Sequence, residues 1–213
     1  MEKTMMALVA YGPRDYRYEP FPCPALGEGD ILLKVKGCGI CAGDIKELAG
    51  LPDTWGTGKG DMLMEPPEIP GHEFCGEIVE MAPDVTGYAL GDLLVAEQIV
   101  PCGRCEDCRR GEYWMCSEMQ LFGLKNIAHG GFAEYVKIPA AAIKHKLPKG
   151  FTTEQGALVE PYACGMHAAE RAAVRHTDVV AVGGLGAIGC AITNVVRLSL
   201  PKLIIGIDSN EHR

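Results

Sequence analysis

Four cysteines within fifteen residues, Cys102, Cys105, Cys108 and Cys116, constrain this chain more than any other feature. Their spacing, C-x2-C-x2-C-x7-C, lets four thiolates close a tetrahedron around one zinc ion and tie the segment 100–117 into a lobe. Closely spaced cysteines also hold iron–sulfur clusters, but the run lacks the C-x3-C-P ending of the bacterial ferredoxins. The chain has ten cysteines in all, which in a short secreted protein would be read as a disulfide framework. The N-terminus, MEKTMMALVAYG, carries an acidic residue at once and no apolar stretch of signal length, so a secretory peptide is not expected. A cytoplasmic location is expected, and there thiols stay reduced and clustered cysteines serve as metal ligands. A zinc ion saturated by four thiolates has no open position; it stabilises a loop and performs no chemistry.

Around that lobe the texture changes once. Up to about residue 150, short β-rich runs at 5–11, 31–35, 74–81, 93–100 and 133–138 are broken by Gly and Pro, which predicts an antiparallel, barrel-like domain over 1–150. A helix is expected over 152–173, where Thr152 and Thr153 are followed by Glu154 and Gln155 in the manner of a capping box. Residues 178–208 then read as strand, helix and strand, so 151–213 forms the start of an α/β domain. The segment 179–196 runs eighteen residues without a charge and approaches membrane-spanning length. Its glycines at 183, 184, 186 and 189 and its opening Val-Val-Ala-Val favour a buried strand, a turn and a helix instead. A formal net charge of −8 excludes partners held by phosphate neutralisation, and a small molecule is the expected partner.

Gly184-Leu185-Gly186-Ala187-Ile188-Gly189 follows the strand pattern, and Asp208 stands nineteen residues after the last glycine. In a dinucleotide-binding unit the glycines give a tight turn, a close backbone approach to pyrophosphate and tight helix packing, while the acid binds ribose hydroxyls. A carboxylate at 208 repels a 2′-phosphate, which favours NAD over NADP. A glycine-rich turn of some other parallel α/β protein is the alternative. Earlier in the chain, Cys41 lies in Gly37-Cys38-Gly39-Ile40-Cys41-Ala42-Gly43-Asp44, and Gly71-His72-Glu73 follows some thirty residues on. A thiolate, an imidazole and a carboxylate can hold a catalytic zinc with one exchangeable position. Cys38 and Cys41 also match the spacing of a redox pair.

Together these residues resemble the zinc-containing medium-chain alcohol and polyol dehydrogenases, in which a β-rich GroES-like catalytic domain precedes a Rossmann domain. The resemblance implies a catalytic zinc held by Cys41 and His72, a structural zinc in the four-cysteine lobe, and Cys38 as a packing residue. Glu73 and Glu160, the latter in a Glu-Pro step, are both candidates for the third catalytic ligand. Asp44 matches the aspartate that holds the ligating imidazole. Ile188, Asp208 and Arg213 would line the adenosine half of NAD. The segments 41–46 and 95–101 and Trp55 are most similar to erythritol/threitol-type dehydrogenases, so the expected reaction is hydride transfer from a small polyol or secondary alcohol to NAD. Threonine, simple alcohols and aldoses are alternative substrates.

Two departures stand out. Where the family has Ser or Thr two residues after the zinc cysteine and His three further on, this chain has Gly43 and Lys46. Lys46, zinc-bound water and Glu73 are then the candidates for moving the proton. A Rossmann domain needs two βαβαβ halves, and only the start of one is read here. The α/β part is therefore expected to be truncated, the whole protein to be a homo-oligomer, and the piece alone to be an inactive, zinc-stabilised fragment.

Overall fold

The computed structural model describes residues 3–57, 62–125 and 128–213, which divide into two units, Met1–Ala157 and Leu158–Arg213.

The first unit is built on an antiparallel sheet. Its central strands are β3 (Ile31–Gly39) and β4 (Glu73–Met81), flanked by β5 (Leu93–Ala96), β8 (Tyr135–Ile138) and β9 (Lys144–Lys146) in the order β8-β3-β4-β5-β9. Its core holds Ile31, Leu33, Phe74, Ile78, Leu94 and Ile138, each contributing about 1.5–3 kcal/mol through burial. Phe74 meets Phe122 edge to face at 5.1 Å. A hairpin of β1 (Thr4–Gly12) and β2 (Asp15–Pro22) bridges to the rest through Ala7 with Ala133 and Ala10 with Glu68. The predicted β-rich, antiparallel character holds.

Sequence reasoning misplaces several boundaries. The run 93–100 is two strands, β5 and the short β6 (Ile99–Val100), which leaves β5's sheet to pair with β7 (Gln120–Leu121). The helix expected over 152–173 is likewise two, α4 (Thr153–Ala157) and α5 (Val159–Ala172), broken at Leu158. Pro161 supplies the reason: it has no N–H to donate and its ring would strike the carbonyl of Ala157, so a helix can restart before it but not run through it. By packing, the two units divide after Ala157. Helix α4 is bound to the sheet there, and a Cβ on Gly156 would lie 2.3 Å from Cys75 Sγ.

In the second unit β10 (Val179–Gly183) and β11 (Leu203–Ile207) pair in parallel, from Val179 opposite Leu203 to Gly183 opposite Ile207, with α6 (Ala187–Val196) as the crossover. Helix α5 packs on α6 at Gly165, where a Cβ would come within 2.6 Å of Ala191 Cβ. Val179, Leu203, Ile205 and Ile207 are exposed although apolar. The segment 179–196 is a strand, a turn and a helix as expected, and among the described residues no helix is long and apolar enough to cross a membrane.

Candidate active site and metal centres

Cys41, His72 and Glu73 converge. One ligand atom from each, a sulfur, a ring nitrogen and a carboxylate oxygen, lies within 4.8 Å of the others. The pairing of β3 with β4 does this, because it sets Gly39, two residues before Cys41, opposite Glu73 at the head of β4. Gly39 is required there: a Cβ on it would lie 2.1 Å from Glu73 Oε2. The short helix α1 (Ala42–Ala49) begins at the site, with Cys41 as its N-cap. Cys41 Sγ accepts from Gly43 N at 3.4 Å, and Asp44 Oδ2 accepts from Cys41 N at 2.7 Å, a reciprocal capping box. The thiol therefore sits at the N-terminus of a helix.

Asp44 is buried, and its second oxygen, Oδ1, has no hydrogen-bond partner but lies 3.9 Å from His72 Nδ1. Burial raises the pKa of Asp44, against the opposing pull of the Cys41 N–H and of His72. An orphaned acceptor beside an imidazole is what a metal-ligating histidine needs behind it. Cys38, beside these residues in sequence, has its thiol pushed up to about 12 by burial and then by Asp44 and Glu73; it reads as a packing residue and not as a redox partner.

The second group is closed. The four sulfurs of Cys102, Cys105, Cys108 and Cys116 also lie within 4.8 Å of one another. Cys105 caps α3 (Glu106–Arg109), and successive backbone N–H groups donate to sulfur: Cys102 to Cys116 and Cys105 to Cys102 at 3.3 Å, Cys108 to Cys105 at 3.5 Å. The N–H of Cys108 brings the Cys105 thiol down to about 6, while burial and the neighbouring Cys105 push Cys108 up to about 12. Four thiols so close cannot all ionise unaided, and a divalent cation among them removes that conflict. None of the ten cysteines, all within the described residues, forms a disulfide. Both donor sets fit zinc, one with four sulfurs and one with three mixed ligands and room for a fourth.

Other expected residues fall elsewhere. Lys46 points away on the exposed face of α1, while Glu47, which sequence reasoning passed over, is buried on the same face as Asp44, three residues before it. Glu160 stands on α5 of the second unit, where its Oε1 accepts from Cys164 Sγ at 3.7 Å; the group of three contains Glu73 and not Glu160. Glu68 is completely buried and holds His129 Nδ1 at 2.5 Å and its neighbour Ile69 N at 2.9 Å, anchoring the segment that leads to His72. No motif announces that pair.

In the glycine turn, Gly184 has φ +84° and Gly186 is the N-cap of α6. A Cβ on Gly189 would lie 1.7 Å from Gly184 O, so only glycine permits this packing. Ala187 and Ile188 open the helix, both exposed. Asp208 follows β11 and accepts from Leu185 N at 2.6 Å and Asn210 N at 2.8 Å, with Arg213 Nη1 at 3.9 Å. Those N–H groups hold its carboxyl below the usual carboxylate range. The turn ends in the N-terminus of α6, and the Asp208 carboxylate, from the end of β11, holds the turn's backbone at Leu185.

The family model for the alcohol dehydrogenase GroES-like domain matches residues 27–149, more than half the chain. The chain belongs to the zinc-containing medium-chain alcohol and polyol dehydrogenase family. Within that family it is 39% identical over 209 residues to an erythritol/L-threitol dehydrogenase of Mycolicibacterium smegmatis (strain ATCC 700084 / mc(2)155), covering 97% of this chain and 58% of that protein. A sorbitol dehydrogenase of Arabidopsis thaliana is 33% identical, covering all of this chain and 56% of its own length. The chain thus spans a little over half the length of these relatives. Among solved structures, 2R,3R-butanediol dehydrogenase of Bacillus subtilis superposes with a TM-score of 0.80 at 29% identity, over 97% of this chain and 64% of that one. A protein of Sinorhizobium meliloti 1021 bound to NADP superposes with a TM-score of 0.84 at 30% identity, over 96% of this chain and 56% of its own.

Proposed function

We propose that the whole protein oxidises a small polyol and passes the hydride to NAD, with Cys41, His72 and Glu73 holding a catalytic zinc and the four cysteines a structural one. The observation that carries this reading is the meeting of a thiol, an imidazole and a carboxylate in one group, separate from the closed four-sulfur group. Bound there, zinc supplies a Lewis acid that polarises an alcohol oxygen and lowers its pKa. Asp44 Oδ1, 3.9 Å from His72 Nδ1, is placed to accept from that nitrogen on a small closing movement, which would leave the other ring nitrogen for the metal. The N-terminus of α6 receives pyrophosphate, with Gly184, Gly186, Ala187 and Gly189 giving the close approach. Asp208 accepts the ribose hydroxyls in this Rossmann-type unit. A cytoplasmic location agrees with ten cysteines outside any disulfide.

NADP is the second reading, because the Arg213 guanidinium beside Asp208 could receive a phosphate. The low pKa of Asp208 favours NAD by keeping a full negative charge at the ribose. The test is the full-length protein assayed by NADH and NADPH absorbance against tetritols, sorbitol, threonine and 1-butanol. Polyols should give the highest kcat/KM and NAD the higher rate. A preference for threonine or 1-butanol, or equal use of both cofactors, overturns the corresponding part.

A further inference from the structure

Position 43, where the family carries a hydroxyl, is glycine here, and its surroundings show what fills the role. A Cβ built on Gly43 would clash with nothing; it would have Cys41 Sγ at 3.6 Å on one side and Glu47 Oε1 at 3.9 Å on the other. Gly43 thus leaves room for a side-chain atom between the Cys41 sulfur and the Glu47 carboxylate. Glu47 is only 8% exposed, and its carboxylate makes no hydrogen bond or ion pair among the described residues.

Its placement is deliberate in the sense of being over-determined. The Glu47 carbonyl accepts from Trp55 Nε1 at 2.6 Å and from Gly50 N at 3.0 Å, which fixes the end of α1. The side chain feels Asp44 and His72, and burial raises its pKa. Tyr16, whose hydroxyl is buried without a partner, has its pKa raised by burial and then by Glu47 and Asp44. A recessed carboxylate that no protein donor occupies is free to accept from a ligand hydroxyl.

We infer that Glu47 binds a second hydroxyl of the substrate, the one on the carbon next to the reacting centre, in the space that Gly43 leaves open. The reacting oxygen belongs on the side of Cys41, His72 and Glu73; Glu47 Oε1, across the same space, meets the oxygen one carbon along. A site that holds a substrate hydroxyl with a buried polar group rejects an analogue lacking it, because the group is then left unpaired. Glu47 would therefore be a specificity-determining residue that separates vicinal polyols from alcohols with a single hydroxyl. This inference rests on the proposed polyol oxidation.

The experiment compares erythritol with 1-butanol, both of four carbons, on the full-length zinc-loaded protein, and measures erythritol binding by calorimetry alongside kinetics. In Glu47→Ala the ratio of kcat/KM for erythritol to that for 1-butanol should fall at least tenfold, chiefly through the erythritol KM, and the erythritol Kd should rise equally. Glu47→Gln, which keeps the shape and a neutral acceptor, should show a smaller shift in the same direction and guards against misfolding of the alanine variant. Gly43→Ser added to Glu47→Ala should restore part of the ratio by placing a hydroxyl in the vacated space. An unchanged ratio in both single variants, or equal losses for the two alcohols, overturns the inference. A wild type that neither binds nor oxidises any polyol instead overturns the proposed function on which it rests.

Discussion

The two metal-binding groups use the same number of ångströms to opposite ends. In the lobe, four sulfurs come from one short stretch of chain and receive backbone N–H groups of that same stretch. In the other group the ligands come from residues thirty apart, joined only because β3 and β4 pair, and are backed by Asp44. The lobe is a local structure that, on the proposed reading, a metal would hold together. The three-ligand group is a consequence of a sheet that exists without metal. One teaches how a cation can substitute for a core, the other how a core can present an open coordination site.

Single substitutions break this contrast most sharply. Cys105→Ser should lower the melting temperature by about 10 °C or more, because structural zinc binding is folding energy of several kcal/mol. Cys41→Ser should leave melting nearly unchanged yet reduce alcohol oxidation by the full-length protein by about three orders of magnitude or more, the loss of a Lewis acid worth several kcal/mol. A larger fall in melting temperature for Cys41→Ser reverses the two roles. Graded chelation, followed by metal analysis, should remove one zinc about tenfold or more faster than the other, the open group losing its ion first. Simultaneous loss, or iron in the lobe, contradicts the comparison.

Smaller effects sharpen it. Asp44→Asn should weaken zinc at the three-ligand group by about 10–100-fold and leave the lobe alone, since the carboxylate behind an imidazole orients it and raises its basicity. Zinc titration with the d–d spectrum of a cobalt-substituted sample separates the two sites. Gly39→Ala should displace Glu73, whose oxygen would lie 2.1 Å from the new methyl, and weaken the same site by roughly threefold to tenfold as one ligand is lost or exchanged. No change would show that Glu73 is not the third ligand.

How much of this was legible in the sequence depended on distance along the chain. The lobe and the glycine turn are local motifs, so spacing alone indicated them. The strand β2 was not read, since Asp15–Pro22 is an exposed hairpin arm in which charged, aromatic and proline residues mask the alternation. Helix α1 hid behind the cysteine motif, and with it Glu47: only a helical period over Asp44 and Glu47 would have shown that two acids share the inward face while Lys46 turns out. Pro161 did announce the break between α4 and α5, and its signal was outweighed by the capping pattern at Thr152. The pairing of Glu68 with His129 spans sixty-one residues and obeys no local rule.

The register that sets Gly39 opposite Glu73 ties the assembly of the three-donor group to the alignment of the sheet. A slip of one residue between β3 and β4 would turn Glu73 to the other side of the sheet, and the three donors would no longer meet. A misaligned molecule would therefore lack the three-donor group altogether.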